Sequence, residues 1–147
     1  MQSLLNLIKP KTRFKILTCP THERYQSDMN NINADFYMYN KPPHIKSWNN
    51  TFSEIPDNHY SLPDLNIPPI EFDFVLSQNR FGQYQILNKI SKNISVPFIN
   101  LEHTLPLKQW NKEQFDSIKN MRGNVNVYIS KFSSELWEEE NPYIIRH

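Results

Sequence analysis

His103 stands beside Glu102 at the end of a β-like run, and this pair is the chain's clearest candidate for acid–base chemistry. An imidazole titrates near neutral pH and can take a proton from a hydroxyl, with a carboxylate beside it as partner. The plainer alternative is a capping or satisfied histidine at a sheet edge. A second polar group, Thr21-His22-Glu23-Arg24-Tyr25, follows an apolar run ended by Pro20, at the place where open α/β sheets meet their ligands. Its plainer alternative is a helix start with Thr21 as N-cap and acidic Glu23 in the first turn. Arg80 follows Ser77-Gln78-Asn79 at the start of a helical stretch. A cation there opposes the helix dipole, which favours pairing with an anionic ligand over merely sitting on a helix N-terminus. Tyr25 and Trp48 could stack on the flat face of a ligand, although core packing is the commoner use of such side chains.

Other chemistries lack their residues. The five histidines (His22, His44, His59, His103, His147) and one cysteine show no Cys-x-x-Cys or His-x-x-x-His spacing, so no metal site is expected. No Gly-x-Ser-x-Gly elbow exists for serine hydrolysis. The chain has only two glycines and neither Gly-x-Gly-x-x-Gly nor Gly-x-x-x-x-Gly-Lys, so the usual dinucleotide and P-loop cradles are absent and no cofactor is implied.

The elements that must position these residues centre on Phe72 to Pro106. Phe72 to Leu76 and Val96 to Leu101 are short runs of β-branched and aromatic residues, as expected for strands buried on both faces. Between them Phe81, Tyr84, Leu87, Ile90 and Ile94 recur at helical spacing. Strand, helix, strand is a βαβ unit with parallel strands and a right-handed crossover, and a parallel sheet needs helices on both faces.

Around this unit, Phe14 to Cys19 and Ala34 to Tyr39 read as the first two strands. Residues 1–13 read as a tail or short helix stopped at Pro10. Residues 41–69 carry Pro42, Pro43, Pro56, Pro63, Pro68 and Pro69, which fits neither a long helix nor a central strand, so a long loop is expected as structural cover or as a substrate-facing segment. Lys112 to Arg122 reads as a helix with Asn111 as N-cap, Gln114 completing a capping box, Phe115 and Ile118 inward and Gly123 as the stop. Asn124 to Ile129 is a fifth strand. Ser130 caps a short helix through Phe132, Leu136 and Trp137, and a sixth strand begins at Tyr143. The expectation is an α/β, three-layer Rossmann-like domain over residues 1–147, with a mostly parallel sheet of about six strands.

Bulk properties agree with one folded domain. The chain has 147 residues, 38% of them hydrophobic, and a net charge of +1 from 16 basic residues spread along its length. That distribution argues against a nucleic-acid binder held by phosphate neutralisation. No apolar run approaches the roughly 20 residues of a membrane span, and the N-terminus lacks a signal pattern, so the expected location is cytoplasmic. The lone Cys19 agrees with a reducing compartment.

In order, the segments resemble the N-terminal half of a GT-B glycosyltransferase of the retaining, glycogen-synthase-like superfamily. Val127 to Trp137 (VYISKFSSELW) is similar to that family's strand-Ser-x-Phe-Ser/Thr-helix segment. Ile144-Ile145-Arg146-His147 resembles the start of its interdomain hinge, and Val96 to Thr104 the strand that delivers its histidine. The resemblance spans about Phe14 to His147. It implies that this domain holds the acceptor while a second domain, not present here, holds the nucleotide-sugar donor. It places His103 in the reaction cleft, puts Thr21, His22, Glu23, Arg24 and Tyr25 in a ligand loop with Glu102 close by, and makes Asn79 and Arg80 acceptor-side contacts. Where the family often has a Gly-Gly pair in the first loop, this chain has Pro20-Thr21-His22.

The alternative is a non-catalytic α/β module that binds a small ligand or a partner chain. Cover over Trp137, Ile144 and Ile145 within the chain favours this self-contained module, whereas an exposed patch favours a docked second body. A flavodoxin-like or response-regulator-like domain fits less well, because no acidic cluster or hydroxyl-rich loop follows the first strand.

Overall fold

The computed structural model describes residues 13–41, 45–63, 70–80 and 82–145. The expected tail before Arg13, Pro42, Pro43 and His44, residues 64–69, Phe81, Arg146 and His147 lie outside the described residues. In chain order the elements are β1 (Phe14–Thr18), α1 (Glu23–Asp28) with a 3-10 turn (Met29–Asn31), β2 (Ala34–Tyr39), β3 (His59–Leu62) and β4 (Phe74–Ser77). These are followed by α2 (Tyr84–Ile94), β5 (Phe98–Glu102), α3 (Lys112–Lys119), β6 (Val125–Tyr128), α4 (Lys131–Leu136) and β7 (Tyr143–Ile144).

The strands form one sheet in the order β3-β2-β1-β4-β5-β6-β7, and every pairing is parallel. The chain moves outward from β1 to β3, returns to lay β4 beside β1 (Ile16 opposite Phe74, Leu17 opposite Val75), then moves outward the other way. Alternate side chains enter opposite layers, as the pleat requires. Leu17, Val75 and Phe98 pack with Leu87 and Ile90 of α2, whereas Ile16, Phe36, Leu76 and Leu101 pack with Met29 and Tyr25 of the α1 segment. Helices therefore cover both faces, giving the three-layer Rossmann-like arrangement. Because the steps from β4 to β7 run in one direction, right-handed crossovers put α2, α3 and α4 on the same face.

Several sequence expectations hold closely. Asn111 and Gln114 form a reciprocal capping box on α3, and the Ser130 hydroxyl accepts the Ser133 N–H at the start of α4. Others need correction. Among the described residues the sheet has seven strands, because the 41–69 segment contains β3, paired with β2 through Phe36 opposite His59 and Tyr37 opposite Tyr60. Pro56 and Pro63 flank β3 without interrupting it, and an edge strand needs a ladder on one side only. His59 stacks on Phe36 at 4.7 Å and Tyr60 on Tyr37 at 5.1 Å, the cross-strand contacts that hold this edge. At the end of α2, Ile94 is 42% exposed, so it does not belong to the buried stripe that helical spacing implied.

Gly123 is not the helix stop either, since α3 ends at Lys119 with Asn120 as its C-cap. Its role is close approach: a Cβ at this position would lie 2.5 Å from the Phe98 carbonyl oxygen and 3.1 Å from the Asn100 nitrogen. Gly123→Ala must push the start of β6 away from β5. We expect a loss of about 1–3 kcal/mol in urea unfolding, and an unchanged midpoint would contradict this packing.

Candidate active-site cleft

An open parallel sheet presents its crevice where the strand order reverses, which here lies between the carboxyl ends of β1 and β4. A cleft of about 350 Å³ sits there, lined by Thr21, His22, Tyr25, Gln78, Asn79, His103 and Thr104. Thr21, His22, Tyr25, Asn79 and His103, each singled out from the sequence, are thus brought together from the ends of three strands and the first turn of α1. Tyr25 meets His103 edge to face, with ring centroids 4.5 Å apart, so the two rings form one wall.

Buried glutamines fix the loops that carry these residues. Gln26 accepts the Thr21 N–H at 2.7 Å and donates to the Cys19 carbonyl at 3.4 Å. From the other side, Gln83 donates to the Pro20 carbonyl at 3.1 Å and to the Thr21 hydroxyl at 2.7 Å, and its oxygen accepts the Gln78 N–H at 3.3 Å. Gly82, at φ 75°, takes the left-handed turn just before Gln83, which caps α2. The β1 and β4 loops are therefore sewn together by amides. Pro20 has no N–H and that of Thr21 is taken, so this turn does not offer the row of free backbone donors on which glycine-rich loops hold phosphate.

At the cleft floor, Gln78 is fully buried. The Thr18 hydroxyl spends its proton on the Leu76 carbonyl at 2.8 Å, so toward Gln78 it acts only as an acceptor, and the Gln78 amide nitrogen faces it at 3.5 Å. This orients the Gln78 Oε1 away from Thr18, where it has no partner; the Asn79 Oδ1 is likewise without one. Buried amide oxygens in that state favour a donor-bearing occupant.

Other sequence candidates stand elsewhere. His22, not Thr21, is the N-cap of α1, and its side chain makes no capping bond. Glu23 is buried and accepts the Asn49 N–H at 3.0 Å, tying α1 to the long loop. Arg24 is exposed on α1 outside the cleft lining. Trp48 packs near His59 at 6.1 Å and donates to the Ser53 carbonyl, which makes it loop cover.

Arg80 and Glu102 lie behind the wall. Both side chains are fully buried, with the Arg80 Nε 3.2 Å from the Glu102 Oε2. Arg80 also donates to the Tyr128 hydroxyl at 2.9 Å and lies over the Trp137 ring at 4.2 Å. Glu102 accepts from the Thr104 N–H at 2.9 Å and the Thr104 hydroxyl at 2.5 Å. Burial raises the Glu102 pKa above its ordinary value, with the Thr104 bonds and the Arg80 charge opposing that rise. Strand alternation explains why neighbours in sequence part company: Glu102 turns toward the α2 layer, and His103 toward Tyr25.

Sequence reasoning passed over Gln78 and Thr104 as lining residues. Their position directly after β4 and β5 was the available signal. Among the described residues the lining carries no carboxylate, lysine or arginine, and its polar groups are hydroxyls, amides and imidazoles. Cys19, beneath the β1 loop, is fully buried, and burial pushes its pKa up to about 12, which leaves no thiolate for nucleophilic work. Among the described residues no group of three or more His, Cys, Asp and Glu stands together as a metal site, and no helix is long and apolar enough to cross a membrane. Compared with known proteins, the chain matches no protein-family model and no curated protein.

Proposed function

We propose that this chain is the acceptor-side domain of a GT-B-like glycosyltransferase and that its cleft holds a neutral sugar hydroxyl for transfer. One observation carries the reading. The crevice at the sheet's reversal point is lined by seven uncharged or imidazole side chains, with the Tyr25–His103 wall on one side and unpartnered amide oxygens at its floor. About 350 Å³ gives room for a single sugar unit. In this account His103 contacts the acceptor hydroxyl and takes its proton, while Tyr25 lies along an apolar ring face. The donor nucleotide belongs to a second body, because the β1 turn offers it no phosphate cradle.

Tyr143, Ile144 and Ile145 are 66%, 39% and 41% exposed, which supports docking of such a body at the β7 edge. Complete burial of Trp137 favours the rival, a self-contained ligand-binding module without catalysis. The fold is shared by many functions and does not choose between them.

Saturation-transfer NMR of the chain with neutral methyl glycosides and with nucleotide sugars tests the proposal. Saturation should reach the ring protons of at least one glycoside and be lost in His103→Ala. A preference for the base and phosphate end of the nucleotide sugars would reverse the assignment of the two halves.

A further inference from the structure

Thr104, the cleft residue beside His103, is anchored at every polar backbone and side-chain group it has. Its N–H and hydroxyl donate to Glu102 Oε1, and its carbonyl accepts from the Trp137 indole at 2.9 Å. The two anchoring side chains meet on a single residue. Arg80 faces Glu102 with its Nε at 3.2 Å and lays its guanidinium on the Trp137 ring at 4.2 Å. The Trp137 ring is itself held flat by Phe115, stacked at 5.8 Å with 15° between planes. A planar guanidinium can face a carboxylate along its edge and an aromatic ring along its face at once, which an ammonium cannot do.

We infer that Arg80 is a positioning residue for the cleft: through Glu102 and Trp137 it sets where Thr104, and with it His103, stands against Tyr25. This rests on the reading of the cleft as the ligand site. Arg80 itself touches no ligand, being 2% exposed behind the wall. The arrangement separates two jobs. The far arm, from Arg80 through the Tyr128 hydroxyl to Glu139 and Arg122, braces the sheet against the segment after α4. The near arm governs the site.

The separation makes the inference testable on the whole chain, labelled with 15N-histidine. Trp137→Phe keeps an aromatic ring beside Arg80 and removes the indole N–H that donates to the Thr104 carbonyl, together with part of the ring's packing on Phe115. Arg80→Lys keeps a charge opposite Glu102 and gives up the flat contact. Both should shift the His103 imidazole resonances and weaken binding of the glycoside identified above by about three- to tenfold, the worth of one hydrogen bond. Glu139→Gln weakens the far arm, so it should lower the urea midpoint while leaving the His103 signals and the affinity as in the unmodified chain. Unmoved His103 resonances in Trp137→Phe would overturn the inference, as would equal movement in Glu139→Gln, which would mark a general loosening. If no glycoside binds even the unmodified chain, the ligand reading fails, while the His103 resonances still decide whether Arg80 positions the wall.

Discussion

Arg80→Met should cost about 3–5 kcal/mol of folding stability, a large part of the roughly 5–15 kcal/mol that a domain has. Methionine fills the space, so the loss arises from what it leaves behind. The Glu102 carboxylate, fully buried, loses the cation at 3.2 Å, and the Tyr128 hydroxyl loses its donor. A lone buried carboxylate escapes by taking up a proton, so the deficit should be worst at neutral and high pH. In the unmodified chain the Glu102 pKa is already raised above 4.5. The folded state then holds a proton that the unfolded state releases, and this group's contribution to stability falls as pH rises from the unfolded value through the folded one. Removing Arg80 widens that window.

Adding Glu102→Gln to Arg80→Met should recover much of the loss. The neutral amide oxygen can still accept from Thr104, and no charge is stranded. Urea unfolding of the single and double variants gives the coupling directly. A loss under about 1 kcal/mol for Arg80→Met would mean that the pair is not buried as described.

The second large effect is acid sensitivity at the β3 edge. The three carbonyls of Met29, Ile32 and Ala34 all face one end of the Asn58 amide, at 3.2, 3.4 and 3.0 Å, so that end is its NH2 group. The Asn58 oxygen therefore points at His59 Nδ1, 2.8 Å away, and can only accept. Nδ1 carries the proton, and the bare Nε2 is buried without a partner. Its neighbours Phe36, Trp48 and Asn58 carry no charge to stabilise an imidazolium. Burial accordingly pushes the His59 pKa down to about 4 from 6.5.

The sign follows from linkage: between these values the unfolded chain binds the proton and the folded chain does not. The contribution is fully present above about 6.5 and is lost as pH falls toward about 4, at most about 3 kcal/mol in all. Glu102 and Glu139 also titrate in acid, so the comparison that isolates His59 is with His59→Phe, which keeps the stack on Phe36. The urea midpoint of the unmodified chain should fall relative to that of His59→Phe as pH drops from 7 to 4.5. Parallel curves would show that His59 protonates in the folded chain without penalty.

How much of this was legible in the sequence depends on the range of the interaction involved. The βαβ unit was, because the period changes within a few residues between Phe74–Ser77 and Tyr84–Ile94. Caps at Asn111 and Ser130 were legible for the same reason: each bond closes within three residues. His103, Tyr25 and Thr21 could be placed at one sheet edge because parallel strands all end there. β3 was not legible: His-Tyr-Ser-Leu has no β-branched residue, and it is held by rings of β2 more than twenty positions earlier. Arg80 reads locally as a cation at a helix start, yet its partners Glu102, Tyr128 and Trp137 come from β5, β6 and the end of α4. Only the assembled sheet brings them to one point. Likewise, no local rule announces that Gln26 and Gln83 will shape the β1 loop.

The central claim, that the switch-point cleft is where this chain meets a neutral sugar, is tested most directly by a backbone-assigned 15N–1H titration with the glycosides above. Shifts should concentrate on Thr21, His22, Tyr25, Gln78, Asn79, His103 and Thr104 and saturate with glycoside. Saturating shifts confined to the crevice at the opposite edge of the sheet, around Tyr84, Lys92 and Arg122, or no saturating shifts with any glycoside, would contradict it.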